Sequence, residues 1–201
     1  IKWYQEAIRV NSKDVRGYAG LGRAYFLMRN YSDAIRQYKE AVRIAPEDSL
    51  GYVGLGWFYL ETSDYKDALM WFQDAVRVSP NNDRGYEGLG RVYGEMKNFP
   101  EALKWLNAGR KVCINCDRMN DALGRVYTSM GEYKKAEAVL NSVLVDKKIE
   151  ELPYWGCPFQ ALGELYSHMA ISDRKKKVIE NYIKAAQIEK FKSFSQFDTA
   201  R

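Results

Sequence analysis

A chain of 201 residues with 46% hydrophobic and 14% aromatic content is too apolar to remain disordered and long enough to bury a sizeable core. Its formal net charge of +5 is mildly basic and falls well short of a nucleic-acid tail. The longest unbroken apolar stretches are only a few residues, so no segment reads as a membrane span.

Taken in chain order, residues 1–14 open with Tyr4, Ala7 and Ser12, which sit where Tyr38, Ala41 and Pro46 sit 34 residues later. They are expected to form the second helix of a truncated repeat. No secretory leader is visible at Ile1. The sequence assigns no compartment, and the cytoplasm is the default.

Residues 15–48 show one whole unit. Tyr18, Leu21, Gly22 and Tyr25 fall at i, i+3, i+4 and i+7, one face of a helix. A short turn after Asn30 leads to Ala34, Tyr38 and Ala41, a second helical face ending near Pro46. The unit recurs in residues 49–82 as Tyr52, Leu55, Gly56, Tyr59, Ala68, Phe72, Ala75 and Pro80. Residues 83–116 repeat Tyr86, Leu89, Gly90, Tyr93, Ala102 and Leu106, and residues 117–150 keep Leu123, Gly124, Tyr127, Ala136 and Leu140. Self-similarity at a fixed period means one supersecondary unit stacked on copies of itself. Asp14 and Asp48 are expected to cap the helices that follow them, and Pro100 to stand in the first turn of its helix, where the missing N–H costs nothing. Gly17, Gly20 and Gly22 share one helix, as do Gly51, Gly54 and Gly56, and Gly85, Gly88 and Gly90. Each glycine costs about 1 kcal/mol against alanine in a helix interior. Close packing between helices must offset that cost.

This pattern of a large aromatic, Leu-Gly, Tyr, Ala, Phe, Ala and Pro resembles the tetratricopeptide repeat family. The match is nearly complete in residues 15–48 and 49–82. Residues 83–116 have Gly109 and Ile114 at the last Ala and Pro positions, and residues 117–150 diverge further. An irregular fifth unit, residues 151–192, includes a longer linker with Pro153, Tyr154 and Trp155, and residues 193–201 read as the start of a truncated further helix. The resemblance implies an all-α fold, a right-handed superhelical solenoid of antiparallel helix pairs whose first helices line a concave groove. It also implies that positions 2, 5, 9, 12 and 13 of each unit face that groove.

On that register the expected peptide-binding residues are Arg16, Arg23, Phe26 and Leu27 from the first unit, Leu50, Val53, Trp57 and Leu60 from the second, and Arg84 and Arg91 from the third. In the third and fourth units an acid lies between the arginines, so Arg84–Glu87–Arg91 and Arg118–Asp121–Arg125 are expected to pair internally. Ala19 separates Arg16 from Arg23 and leaves them unpaired along their helix. An apolar strip beside free guanidinium groups suits an acidic peptide or helix with an apolar anchor. The family's chaperone-tail code is absent, since Ala19 and Arg23 stand where it places Lys and Asn.

Other chemistry is weakly signalled. Cys113 and Cys116 read by default as two helix-end cysteines, with a disulfide or redox role as the alternative. Cys157 and His168, eleven residues apart on one helix, would be about 16 Å apart and could not reach one metal. The recurrent glycine pattern lacks the preceding strand a phosphate loop needs. No metal, cofactor or catalytic residues are expected. The reading is a protein–protein interaction scaffold. Its rivals are a non-catalytic region of a larger enzyme, of glycosyltransferase or hydrolase type, and a self-assembly module associating through uncapped ends. Nucleic-acid binding is disfavoured by the interleaved Glu61, Glu87, Glu95 and Asp121.

Overall fold

The computed structural model describes residues 1–113 and 116–142, with 161, 162 and 165 beyond them. The described residues form α1 (Lys2–Val10), α2 (Val15–Leu27), α3 (Tyr31–Ile44), α4 (Ser49–Glu61), α5 (Tyr65–Val78), α6 (Asp83–Glu95), α7 (Phe99–Val112), α8 (Asp117–Ser129) and α9 (Tyr133–Ser142), and no strand. The chain divides into two compact units, Ile1–Ile114 and Asn115–Arg201. The expected elements over residues 151–192 and 193–201, with Tyr154, Trp155, Cys157 and His168, lie outside the described residues. Ala161, Leu162 and Leu165 are buried.

In the first unit, α2–α3, α4–α5 and α6–α7 are hairpins, and α1 packs on α2. The first helices α2, α4 and α6 also touch in succession, so they form one layer with the second helices behind them.

Each hairpin turns in the same way. Arg29 N donates to Phe26 O at 2.9 Å and Asn30 N to Tyr25 O at 2.9 Å, with Arg29 at φ 60°. This is the paired C-terminal bond pattern built around one left-handed residue. It recurs at Ser63 (φ 62°), Lys97 (φ 57°) and Gly131 (φ 77°). The residue after each of the first three then caps the next helix: the Asn30, Asp64 and Asn98 side chains accept from Asp33 N, Asp67 N and Glu101 N. Between hairpins, Asp14, Asp48 and Asn82 cap α2, α4 and α6. The expected caps at Asp14 and Asp48 are thus present, and Pro100 lies in the first turn of α7.

The core is made where second-helix side chains enter the glycine-lined gaps between first helices. A Cβ on Gly22 would lie 2.9 Å from Tyr38 Cδ1, and one on Gly54 would overlap the same ring. Phe72 stands in the same way between Gly56 and Gly88, and is fully buried. Without a glycine on each side, neither ring would fit. In the second unit, α8 and α9 form a hairpin of the same kind, with Leu140 against Gly124.

Cys113 follows the end of α7 and Cys116 precedes α8, and both are disulfide-bonded. The disulfide alternative therefore holds in place of the default reading of two plain helix-end cysteines. The two lie where one helix has ended and the next has not begun, so neither backbone is held in a helix.

Candidate functional site

The α2–α4–α6 layer has one face covered by the second helices and one face turned away from them. The 34-residue register places Arg23, Trp57 and Arg91 in line along that second face, one per helix. Their surroundings differ.

Trp57 is half-buried, and its ring meets Phe72 edge-on at 5.2 Å between centroids. The Arg91 guanidinium lies 5.4 Å from the Trp57 ring centroid and bonds Glu87 at 3.2 Å. Glu87 is only 4% exposed. A carboxylate so buried is tolerated because it is paired. A guanidinium over an indole face gains about 0.5–2 kcal/mol. The expected internal pairing in the third unit is therefore present through Glu87 and Arg91, and Arg91 also clamps Trp57. Arg84 is exposed but engaged elsewhere. In the second unit, Arg125 pairs with Asp121 at 3.2 Å, as expected.

The first hairpin is different. Arg16 and Arg23 are both exposed, and neither makes an ion pair among the described residues. Ala19 stands where Glu87 and Asp121 stand in later repeats, so Arg23 has no acid one turn before it. Beside it, burial pushes the Tyr38 hydroxyl up to about 12, an effect that the Arg23 charge partly offsets. The phenol therefore stays protonated, and a donor, throughout the physiological range.

The remaining expected residues are distributed unevenly. Val53 is 3% exposed and packs with Tyr52 and Ala75, so it offers no surface. Phe26 is half-buried in an aromatic cluster, 5.8 Å from Tyr31 and 5.7 Å from Phe58. Leu50 and Leu60 are half-buried, whereas Leu27 is 71% exposed next to Met28. Sequence reasoning did not place Tyr38 beside the groove positions because it belongs to a second helix. The paired glycines at Gly22 and Gly54 were the signal that its ring passes between two first helices.

A tetratricopeptide repeat family model matches residues 2–49 and 20–83, and a second tetratricopeptide repeat model matches residues 121–151. The chain belongs to the tetratricopeptide repeat family. As in the family at large, such repeats serve protein–protein interaction. A solved structure of TTC0263, a tetratricopeptide repeat protein of the thermophile Thermus thermophilus, superimposes with a TM-score of 0.72 at 23% identity, covering 86% of this chain and 90% of that one. A chain of the APC/C hetero-tetramer Cut9–Hcn1 gives 0.75 at 15% identity, over 93% of this chain but 36% of that one. YrrB, described as a tetratricopeptide repeat protein with an unusual peptide-binding site, gives 0.53 at 20% identity over 98% of both chains. At these identities the likeness is one of fold. No curated protein matches the chain in sequence. Among the described residues no helix is long and apolar enough to cross a membrane.

Proposed function

We propose that the unit Ile1–Ile114 is a scaffold that binds an acidic peptide or helix with an apolar anchor across the α2–α4–α6 face. The observation that carries this reading is the asymmetry along the Arg23–Trp57–Arg91 line. Arg91 is paired with Glu87, while Arg16 and Arg23 keep their charge exposed beside half-buried apolar side chains. Leu27, Leu50, Trp57 and Leu60 supply the apolar contact. Arg84 and Arg91, already engaged, hold the floor rather than the ligand. That YrrB is described as having a peptide-binding site supports the compatibility of this fold with such a ligand.

The test is selection of binders from a random peptide library, with an Arg23→Glu/Trp57→Ala double variant as counter-selection. Enrichment of sequences combining Asp or Glu with a large apolar residue, lost on the double variant at unchanged circular dichroism, is expected. Equal enrichment on both proteins would move binding off this face.

A second reading has its own observation. Helix α1 contains no buried residue, and leaves Trp3 87% and Val10 74% exposed. Self-association through that face predicts a scattering mass that rises with concentration and falls in Trp3→Ala. A constant mass in both proteins would remove it.

A further inference from the structure

In the first hairpin a buried side chain carries a hydroxyl with no partner among the described residues. The Tyr38 ring starts on α3 and passes into the gap between α2 and α4, held by Gly22 on one side and Gly54 on the other. It is 6% exposed, and its hydroxyl has no hydrogen-bond partner among the described residues. The sealed polar atoms without a partner include Trp71 Nε1 and Trp105 Nε1 but not the Tyr38 hydroxyl, which therefore reaches solvent. Tyr52 and Tyr86 behave differently, donating to Pro46 O and Pro80 O at 3.1 and 3.0 Å.

The corresponding gap between α4 and α6 is filled differently. Phe72 fills the gap between α4 and α6, has no hydroxyl, and is covered by Trp57. The arginine on α6, Arg91, is held by Glu87. In the α2–α4 gap, by contrast, the ring carries a phenol within the electrostatic reach of Arg23, an arginine with no acid on its own helix turn.

We propose that Tyr38 and Arg23 form a carboxylate-binding subsite, in which the hydroxyl and the guanidinium donate to the oxygens of one ligand carboxylate. This deepens the reading above and rests on it: it names where the acidic group of the ligand is held. A carboxylate is acceptor-only and takes hydrogen bonds at both oxygens, which suits two donors from different helices. A neutral amide would set its own N–H groups against one of these donors. Burial raises the phenol to about 12, so it remains a donor from the pH at which the carboxylate ionises through the whole physiological range.

The carboxylate can belong to an acidic side chain or to a chain terminus, and small probes separate the two. The full chain, labelled on tyrosine rings and arginine side chains, is titrated with N-acetyl-glutamate α-methylamide, N-acetyl-leucine and N-acetyl-glutamine α-methylamide, and followed by NMR. Saturable shifts of the Tyr38 ring and Arg23 Nε signals are expected with one or both carboxylates and not with the glutamine amide. The probe giving the larger shift identifies side chain or terminus. Tyr38→Phe should lower the association constant about fivefold to tenfold. That variant is expected to fold, since Phe72 fills the equivalent position. Arg23→Gln should abolish the shift. The proposal is overturned by equal shifts from the amide, by shifts spread evenly over all arginines, by no saturable shift, or by unchanged affinity in a folded Tyr38→Phe protein. Library peptides still selected through Trp57 under any of those outcomes would leave the wider binding face standing and remove only this subsite.

Discussion

Tyr38 shows how one side chain can carry a structural and a chemical consequence together. Its hydroxyl is pushed up to about 12 by burial, against about 10 in an unfolded chain. The folded state therefore holds the proton more tightly, and its contribution to stability is complete below about pH 10 and is lost as pH rises through about 12. The loss approaches about 2–3 kcal/mol once both states are ionised. Denaturant melts of the parent and of Tyr38→Phe from pH 9 to pH 12 should converge on this difference, with the parent falling faster. Parallel curves would mean the hydroxyl is well solvated. The glycines opposite such rings make a second residue-scale prediction. Gly88→Ala would gain about 1 kcal/mol of helix propensity, yet its Cβ would overlap the Phe72 ring. Net destabilisation of about 1–3 kcal/mol is expected by urea melt, and a stabilised variant would show that the α4–α6 gap is loose. For binding, Trp57→Ala should weaken a selected peptide by about 2 kcal/mol in calorimetry. An unchanged affinity would leave Trp57 as a packing residue held by Arg91.

At the scale of the element, the helices and their order were legible because every repeat solves the same packing problem. Leu21, Gly22 and Tyr25 could be matched to Leu55, Gly56 and Tyr59 without knowing what they touch. Asp14 and Asp48 read as caps because a short acceptor before an apolar period has one obvious use. The turn geometry was hidden. Arg29, Ser63 and Lys97 adopt φ values of 60°, 62° and 57°, a conformation for which sequence reading looks to glycine or asparagine. Only Gly131 carries the signal. The strain at the other three is tolerated because the following Asn30, Asp64 and Asn98 must be placed to cap the next helix. Ser63→Gly should accordingly stabilise the chain by about 0.5–1 kcal/mol, read as a higher melting midpoint. A lower midpoint would mean that glycine's extra freedom in the unfolded chain outweighs the relieved strain. The binding face was partly legible. The register put Arg23, Trp57 and Arg91 in line, but α4 is apolar on nearly every side, so no contrast between faces revealed that Val53 turns inward. Phe26 was equally ambiguous, since its aromatic partners Tyr31 and Phe58 come from other helices.

Within the unit Ile1–Ile114, a stack of hairpins has no single core, and each hairpin is held mainly by its neighbours. Stability must therefore vary along the chain. Helix α4 buries seven residues and touches α2, α3, α5 and α6, whereas α1 buries none and touches α2. Opening α1 lifts Tyr4 and Ile8 off Gly20 and Gly17 but uncovers no fully buried side chain of its own, and Trp3 and Val10 are already in solvent. Opening α4 would uncover Leu55 and Phe58 and unseat Tyr38 and Phe72 from their glycine gaps. Native-state hydrogen exchange should then show α1 exchanging by local fluctuation and α4 only near the global unfolding free energy. Uniform protection from α1 to α5 would mean that the unit unfolds all at once. The distinction bears on binding, since Arg16 and Arg23 lie on α2, between the least supported helix and the best supported one. A ligand bridging Arg23 and Trp57 ties α2 to α4, and the protection it adds should appear in α2 more than in α4. If protection rose equally in both helices, the ligand would be stabilising the unit as a whole rather than fastening its weaker end.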